Sequence, residues 1–199
     1  GFTSIALALL MSPFITLWAG ERMALDELVV NLLVVDYYMI GQRICLNNFK
    51  SAAGIYEPDK YIALLQAAVN LISSVLLVRL IGLPGVFWGT LLQGALSSLL
   101  KPILSYPLMF RRSSRYYFLD SAKYCAAVLL AYALCRACCR WIFSAVTIPR
   151  FIAAAAAVTL IPNLLFLLLF RRSREFRYFS SLLRRLLSRR SSPGQAGQQ

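Results

Sequence analysis

The chain has 199 residues, of which 59% are hydrophobic, and a mean hydropathy of +0.66. Soluble domains stay near roughly 45–50% apolar residues, so the composition points to a lipid environment. Lys and Arg number 21 against 8 Asp and Glu, a net charge of +13, and there is no histidine. Imidazole is thereby excluded as base, proton relay or metal ligand, and with it most Ser-His, Cys-His and zinc hydrolase chemistry. The sequence opens at Gly1 without an initiator Met and runs directly into apolar residues, so a fragment or processed piece is expected.

A membrane-spanning helix needs about 20 mostly apolar residues, because its backbone must be satisfied within the segment. Six stretches meet this test, predicting an all-α polytopic bundle over residues 1–170. The first, Gly1 to Ala19, is uncharged and closes on Trp18, an interface residue by type. The second, about Leu28 to Leu46, carries Asn31, Asp36, Gln42 and Arg43. The third runs from about Tyr61 to Leu80. The fourth, about Leu83 to Phe110, is interrupted at Lys101-Pro102, where a kink is expected. The fifth, about Ala122 to Val146, includes Arg136 and Arg140, which fit snorkelling or an external anion contact. The sixth, about Ile148 to Phe170, has a Pro162-Asn163 break in its middle.

Residues 171–199 form a basic tail. Phe176, Phe179, Leu182, Leu183, Leu186 and Leu187 recur at helical spacing with Arg184, Arg185, Arg189 and Arg190 opposite. That pattern describes an amphipathic helix on an anionic leaflet, with disorder after residue 192; beside a spanning helix, lipid is favoured over nucleic acid as its partner. With the tail in the cytoplasm and six spans, the N-terminus is cytoplasmic too. Sixteen basic residues, Lys101 included, then fall on the inner side against five outside, in accord with the positive-inside rule.

Polar groups inside a bilayer either join helices or line a water-filled cavity. Asp36, Arg43 and Asn47 share one face of the second helix. Gln66, Asn70, Ser73 and Ser74 share a face of the third. Gly89, Gln93, Ser97 and Lys101 repeat every four residues on the fourth, ahead of Pro102. Each stripe also suits plain helix packing. Arg43 and Lys101 need a carboxylate, water or an anionic ligand; Asp36, the one acid deep in a span, is a candidate counter-ion, and Arg43 also has the option of snorkelling.

The cysteines at 45, 125, 135, 138 and 139 read as buried apolar thiols: Cys135-x-x-Cys138-Cys139 has no second pair and no His to complete a metal site. No Gly-rich phosphate loop, nucleophile elbow or acidic dyad is present, so neither a cofactor, a metal nor an enzymatic activity is expected. Gly82-Leu83-Pro84-Gly85 reads as a tight interhelical turn.

The order of short motifs is more specific than the composition. Leu17-Trp18-Ala19-Gly20-Glu21 is followed by Ala53-Gly54-Ile55-Tyr56-Glu57-Pro58-Asp59-Lys60, then Ala68-Val69-Asn70-Leu71, then Gly82-Leu83-Pro84-Gly85-Val86-Phe87-Trp88-Gly89-Thr90. Over about residues 13–112 this resembles the C-terminal half of the polysaccharide flippases of the multidrug/oligosaccharidyl-lipid/polysaccharide (MOP) exporter superfamily. The resemblance implies the C-terminal lobe of a two-lobed transporter in the bacterial cytoplasmic membrane, both termini cytoplasmic, whose partner is a separate N-terminal lobe. It implies an undecaprenyl-pyrophosphate-linked oligosaccharide as substrate, moved by alternating access for cell-surface polysaccharide synthesis. Asn70 and Gly54 carry over as structural or conformational positions, beside Gly82, Gly85, Gly89 and Pro102.

A pyrophosphate needs cations and a glycan needs polar groups, which makes Arg43, Lys101, Asp36, Gln66, Asn70 and Gln93 the candidate cavity residues. Two other readings remain. A drug/cation antiporter of the same superfamily would favour a carboxylate-rich cavity, and a non-transporting membrane partner in polysaccharide assembly would need none.

Overall fold

In the computed structural model, residues 1–173 are described except 24 and 144–146, together with 176, 178, 181 and 182. The amphipathic tail helix and the disorder expected after residue 192 otherwise lie outside the described residues. Six α-helices and one short 3-10 turn make up the described residues: α1 (Phe2–Ala19), α2 (Glu27–Ala52), α3 (Glu57–Ile81), α4 (Pro84–Phe110), α5 (Arg115–Ile142) and α6 (Ile148–Phe170). Among these residues no strand occurs.

Five helices, all but α4, are long and apolar enough to cross a membrane. The chain is thus a bundle with multi-pass membrane character. α4 departs from the expected fourth span in composition, not length: at 27 residues it measures about 40 Å, but Gly85, Gly89, Gly94, Ser97 and Ser105 are its buried face. Small residues let backbones approach where lipid supplies no hydrophobic drive, and α4 accordingly packs against both α3 and α2.

The helices begin and end where the sequence supplies the chemistry. Asp26 caps α2, its carboxylate accepting from the Leu28 amide at 3.2 Å. Pro84 starts α4 in the first turn, where no amide partner is missed. α3 ends at Gly82 with φ 69°, and the Gly85 amide donates to the Gly82 carbonyl at 2.9 Å, so the expected tight turn is present. At the two expected interruptions the helical hydrogen-bonding pattern continues. α4 runs unbroken through Pro102, which is fully buried, and α6 runs unbroken through Pro162. In each the lost backbone bond is a local defect within a packed helix.

Helix ends also move. α2 continues six residues past Leu46, and α3 starts four residues before Tyr61; α5 starts earlier and ends earlier than expected, at Arg115 and Ile142. Hydropathy locates hydrocarbon, whereas a helix propagates beyond it for as long as each residue adds a backbone bond.

Packing divides the bundle into two connected groups. α1, α5 and α6 enclose an apolar core of Ile5, Ala131, Cys135, Cys139, Ala154 and Val158. α2, α3 and α4 form the other group, in which α3 and α4 are the most closely packed pair. A Cβ at Gly85 would lie 2.5 Å from the Leu77 carbonyl oxygen, and one at Gly89 would lie 2.8 Å from the Ser74 amide nitrogen. This antiparallel Gly-x-x-x-Gly contact admits no side chain. Gln42 bridges the groups: its backbone carbonyl accepts from Tyr117 Oη and its side-chain Oε1 from Ser121 Oγ of α5, both at 3.4 Å, while its Nε2 donates to Tyr38 Oη at 2.8 Å.

Candidate functional site

Alternation of the helices brings the C-terminal ends of α2 and α4 and the N-terminal ends of α3 and α5 to one end of the bundle, the α2–α3 loop end. The opposite end carries all three tryptophans: Trp18 and Trp141, 79% and 90% exposed, and Trp88 in the first turns of α4. Between these ends the seam of α2, α3 and α4 collects the polar residues.

At mid-depth, Asp36 and Arg43 of α2 lie against α4 at Gly94: a Cβ there would sit 2.9 Å from Asp36 Oδ1 and 3.9 Å from Arg43 Nη2. Arg43 is only 7% exposed. Its Nε donates to the Met39 carbonyl at 3.2 Å, and its guanidinium is covered by the bundle beside Gly94. No carboxylate among the described residues comes within ion-pair distance of Arg43; Asp36 is a neighbour, not a bonded partner.

Of the two cations for which Asp36 is a candidate counter-ion, Lys101 is served by another carboxylate. Its Nζ lies 3.8 Å from Asp59 Oδ1, in the first turn of α3, and the same carboxylate accepts from Lys50 Nζ of α2 through Oδ2. The four extra residues at the start of α3 carry Asp59 into the helix and within reach of both lysines. Lys50 and Asp59 are the functional residues that single-helix patterns missed: each flanks a loop, and the relationship exists only between helices.

The other candidates are distributed along the seam. Asn70 Oδ1 accepts from Ser74 Oγ at 3.2 Å, one turn away on α3, and so serves the helix that Gly89 abuts. Gln66 Nε2 is buried without a partner. Gln93 is half-buried next to Gly94. Gly54, exposed in the α2–α3 loop, has φ 70° and open space around it, so backbone conformation alone demands glycine there. Among the described residues, five buried side-chain atoms lack a hydrogen-bond partner: Asp36 Oδ1, Asn47 Oδ1, Asp59 Oδ1, Gln66 Nε2 and Ser97 Oγ. All belong to α2, α3 and α4. Orphaned buried polar atoms cost roughly 1–3 kcal/mol each, and their confinement to one seam marks it as the polar interior of the bundle.

The cavities lie elsewhere. One of about 310 Å³ between α1 and α2 includes Leu7, Val30 and Asp36; another of about 350 Å³ between α1, α2 and α5 includes Ile5, Asn31, Tyr38 and Tyr132. Neither contains Arg43 or Lys101; Arg43 is buried in the seam, whereas Lys101 keeps part of its side chain exposed toward the loop end. Arg136, on α5 near the tryptophan end, is exposed and bonds Tyr132 Oη at 2.8 Å with Glu27 Oε1 4.0 Å away.

Cys135 and Cys139 are buried core thiols as expected, whereas Cys45 and Cys138 are exposed. No metal-ligating cluster occurs among the described residues.

Compared with protein-family models, with curated proteins and with solved structures, the chain gives no match.

Proposed function

We propose that the chain is the C-terminal lobe of a membrane transporter that moves an undecaprenyl-pyrophosphate-linked oligosaccharide across the cytoplasmic membrane by alternating access, with both termini cytoplasmic. α4 is the sixth crossing, its small-residue face covered by α2 and α3 and its Leu92, Leu99, Ile103 and Leu108 side chains exposed to the surroundings. The observation that carries the reading is Arg43: an embedded guanidinium, covered by the bundle, with no ion-paired carboxylate among the described residues. A fixed charge at that depth costs roughly 2.5–3.5 kcal/mol even on insertion scales, and an anionic substrate group would offset it.

The charge balance of the seam supports an anion. Arg43, Lys50 and Lys101 face Asp36 and Asp59, three cations against two carboxylates. Gln66, Asn70 and Gln93 supply the donors and acceptors that a glycan requires. In the seam Arg43 is covered; entry of substrate requires α2 and α4 to part, and the Gly94 notch, which holds charged side chains in place of a packed side chain, is where they part most readily.

Asp36 Oδ1, buried and unpartnered, favours a second reading, that of a cation or drug antiporter, in which this carboxylate binds the cation. The two readings separate in cells. Arg43→Ala in the full-length protein lowers surface polysaccharide at unchanged protein abundance if the substrate is anionic. Normal export by Arg43→Ala and by Lys101→Ala overturns the anionic reading.

A further inference from the structure

We propose that Lys50, Lys101 and Asp59 form a phosphate-class anion site at the α2–α3 loop end of the bundle, and that Asp59 is the resident counter-anion which an arriving phosphate displaces. The inference rests on the transport reading only for the identity of the natural ligand.

Asp59 is one carboxylate shared by two ammonium groups from two other helices. Lys50 is 5% exposed, too deeply covered for water to neutralise its charge, and its bond to Asp59 Oδ2 is the closest contact of the cluster. Lys101 approaches the other oxygen at 3.8 Å, beyond hydrogen-bonding distance, so Asp59 Oδ1 remains without a hydrogen bond. One charge therefore satisfies Lys50 and leaves Lys101 underserved. The cluster keeps one net positive charge, and its next cation inward is Arg43, on the same helix as Lys50 and seven residues before it.

Geometry adds access. The Asp59 side chain retains about a quarter of its exposure, so the cluster opens to the loop end while Arg43 and Ser97 behind it are closed. A phosphate brings more charge and more acceptor oxygens than a carboxylate, and Lys is a point-charge donor suited to it. Displacing Asp59 would release the first turn of α3 from α2 and α4, uncoupling the three helix ends that the carboxylate ties together. Ligand arrival and opening of the seam are then the same event.

The ligand phosphate has two sources: the pyrophosphate of a lipid-linked substrate, or the headgroup of an anionic bilayer lipid. The test uses the full chain in nanodiscs of phosphatidylcholine, titrated with inorganic pyrophosphate and followed by calorimetry. In a parallel arm, nanodiscs containing phosphatidylglycerol are analysed for lipid retained through purification. Asp59→Asn, which keeps shape and removes the competing charge, is expected to bind pyrophosphate at least about tenfold more tightly than the wild type. Lys50→Met, which leaves a neutral Asp59–Lys101 pair and does not depend on folding with two unpaired lysines, is expected to lose binding.

Tighter pyrophosphate binding assigns the site to the free or substrate phosphate, and retention of phosphatidylglycerol that Lys50→Met abolishes assigns it to bilayer lipid. Unchanged pyrophosphate binding and unchanged lipid retention in both variants overturn the proposal. That failure is distinct from failure of the transport reading, which is decided by export in Arg43→Ala: normal export there leaves the anion site standing, and lost export leaves the transport reading standing without it.

Discussion

Lys101 and Asp59 face each other across α4 and α3 at 3.8 Å, one residue of the α4 polar stripe meeting the first turn of the preceding helix. The pair places Lys101 at the loop end of the seam, away from Asp36, which lies at the depth of Gly94 with Arg43. The embedded charge is thus layered: Lys50, Asp59 and Lys101 at the end, Asp36 and Arg43 within.

Arg43 and Asp36 are neighbouring embedded charges that do not bond each other, and replacing both removes this buried charge from the seam. Buried ionic groups exchanged together for apolar ones of similar volume leave stability unchanged or raise it by about 1–4 kcal/mol. Arg43→Met with Asp36→Leu is therefore expected to match or exceed the wild-type thermal midpoint in detergent while abolishing export. A double variant that unfolds would show that the two groups hold the seam together.

Gly89 and Gly82 separate close packing from backbone conformation. A Cβ at Gly89 meets the Ser74 backbone, but at Gly82 it meets open space at φ 69°. Gly89→Leu should cost about 1–3 kcal/mol or more through overpacking, lowering the unfolding midpoint, and Gly82→Ala about 1–3 kcal/mol through strain alone, because φ 69° with ψ −147° is backbone that essentially only glycine adopts. An unchanged midpoint for Gly89→Leu would contradict the close α3–α4 contact.

Gln42 is a hydrogen-bonded link between the two helix groups. Interhelical hydrogen bonds in membranes average about 0.6 kcal/mol, and of the two at Gln42 only that from Ser121 Oγ goes to the side chain, the Tyr117 bond going to the backbone carbonyl, so Gln42→Leu is expected to destabilise by about 0.6 kcal/mol in an equilibrium unfolding titration. No loss of stability would mean that the Ser121–Gln42 bond contributes nothing to holding α5 against α2.

The three tryptophans at one end predict a depth signature. Trp and Tyr settle at the membrane–water interface, so lipids brominated near the headgroup should quench the fluorescence of the reconstituted protein more than lipids brominated near the chain end. The reverse order would contradict the placement of the helix ends.

Much of the bundle was legible because apolar runs of 18–28 residues carry a strong signal; α6 begins and ends where its hydropathy does. The seam was legible only one helix at a time. Asp36 and Arg43 share a face, and the structure keeps them neighbours. The α4 stripe is subtler: steps of four advance about 400°, so the row Gly89–Gln93–Ser97–Lys101 drifts by about 40° per step and about 120° overall. Its members consequently face different neighbours, Gly89 against Ser74 and Lys101 toward Asp59, while Gly94, off the row, meets Asp36. Lys50 and Asp59 were illegible for another reason. They lie where hydropathy ends, and nothing in either helix alone specifies that a charge at the end of one will meet a charge at the start of the next.

The central claim is that the seam's embedded cations receive an anionic, lipid-linked glycan. The most direct measurement is equilibrium binding of an undecaprenyl-pyrophosphate oligosaccharide to the purified full-length protein, in competition with a cationic dye. The account predicts saturable binding of the lipid-linked sugar that the dye does not displace and that Arg43→Ala weakens by at least tenfold, or about 1.4 kcal/mol. Saturable binding of the dye, with none of the lipid-linked sugar, would contradict it.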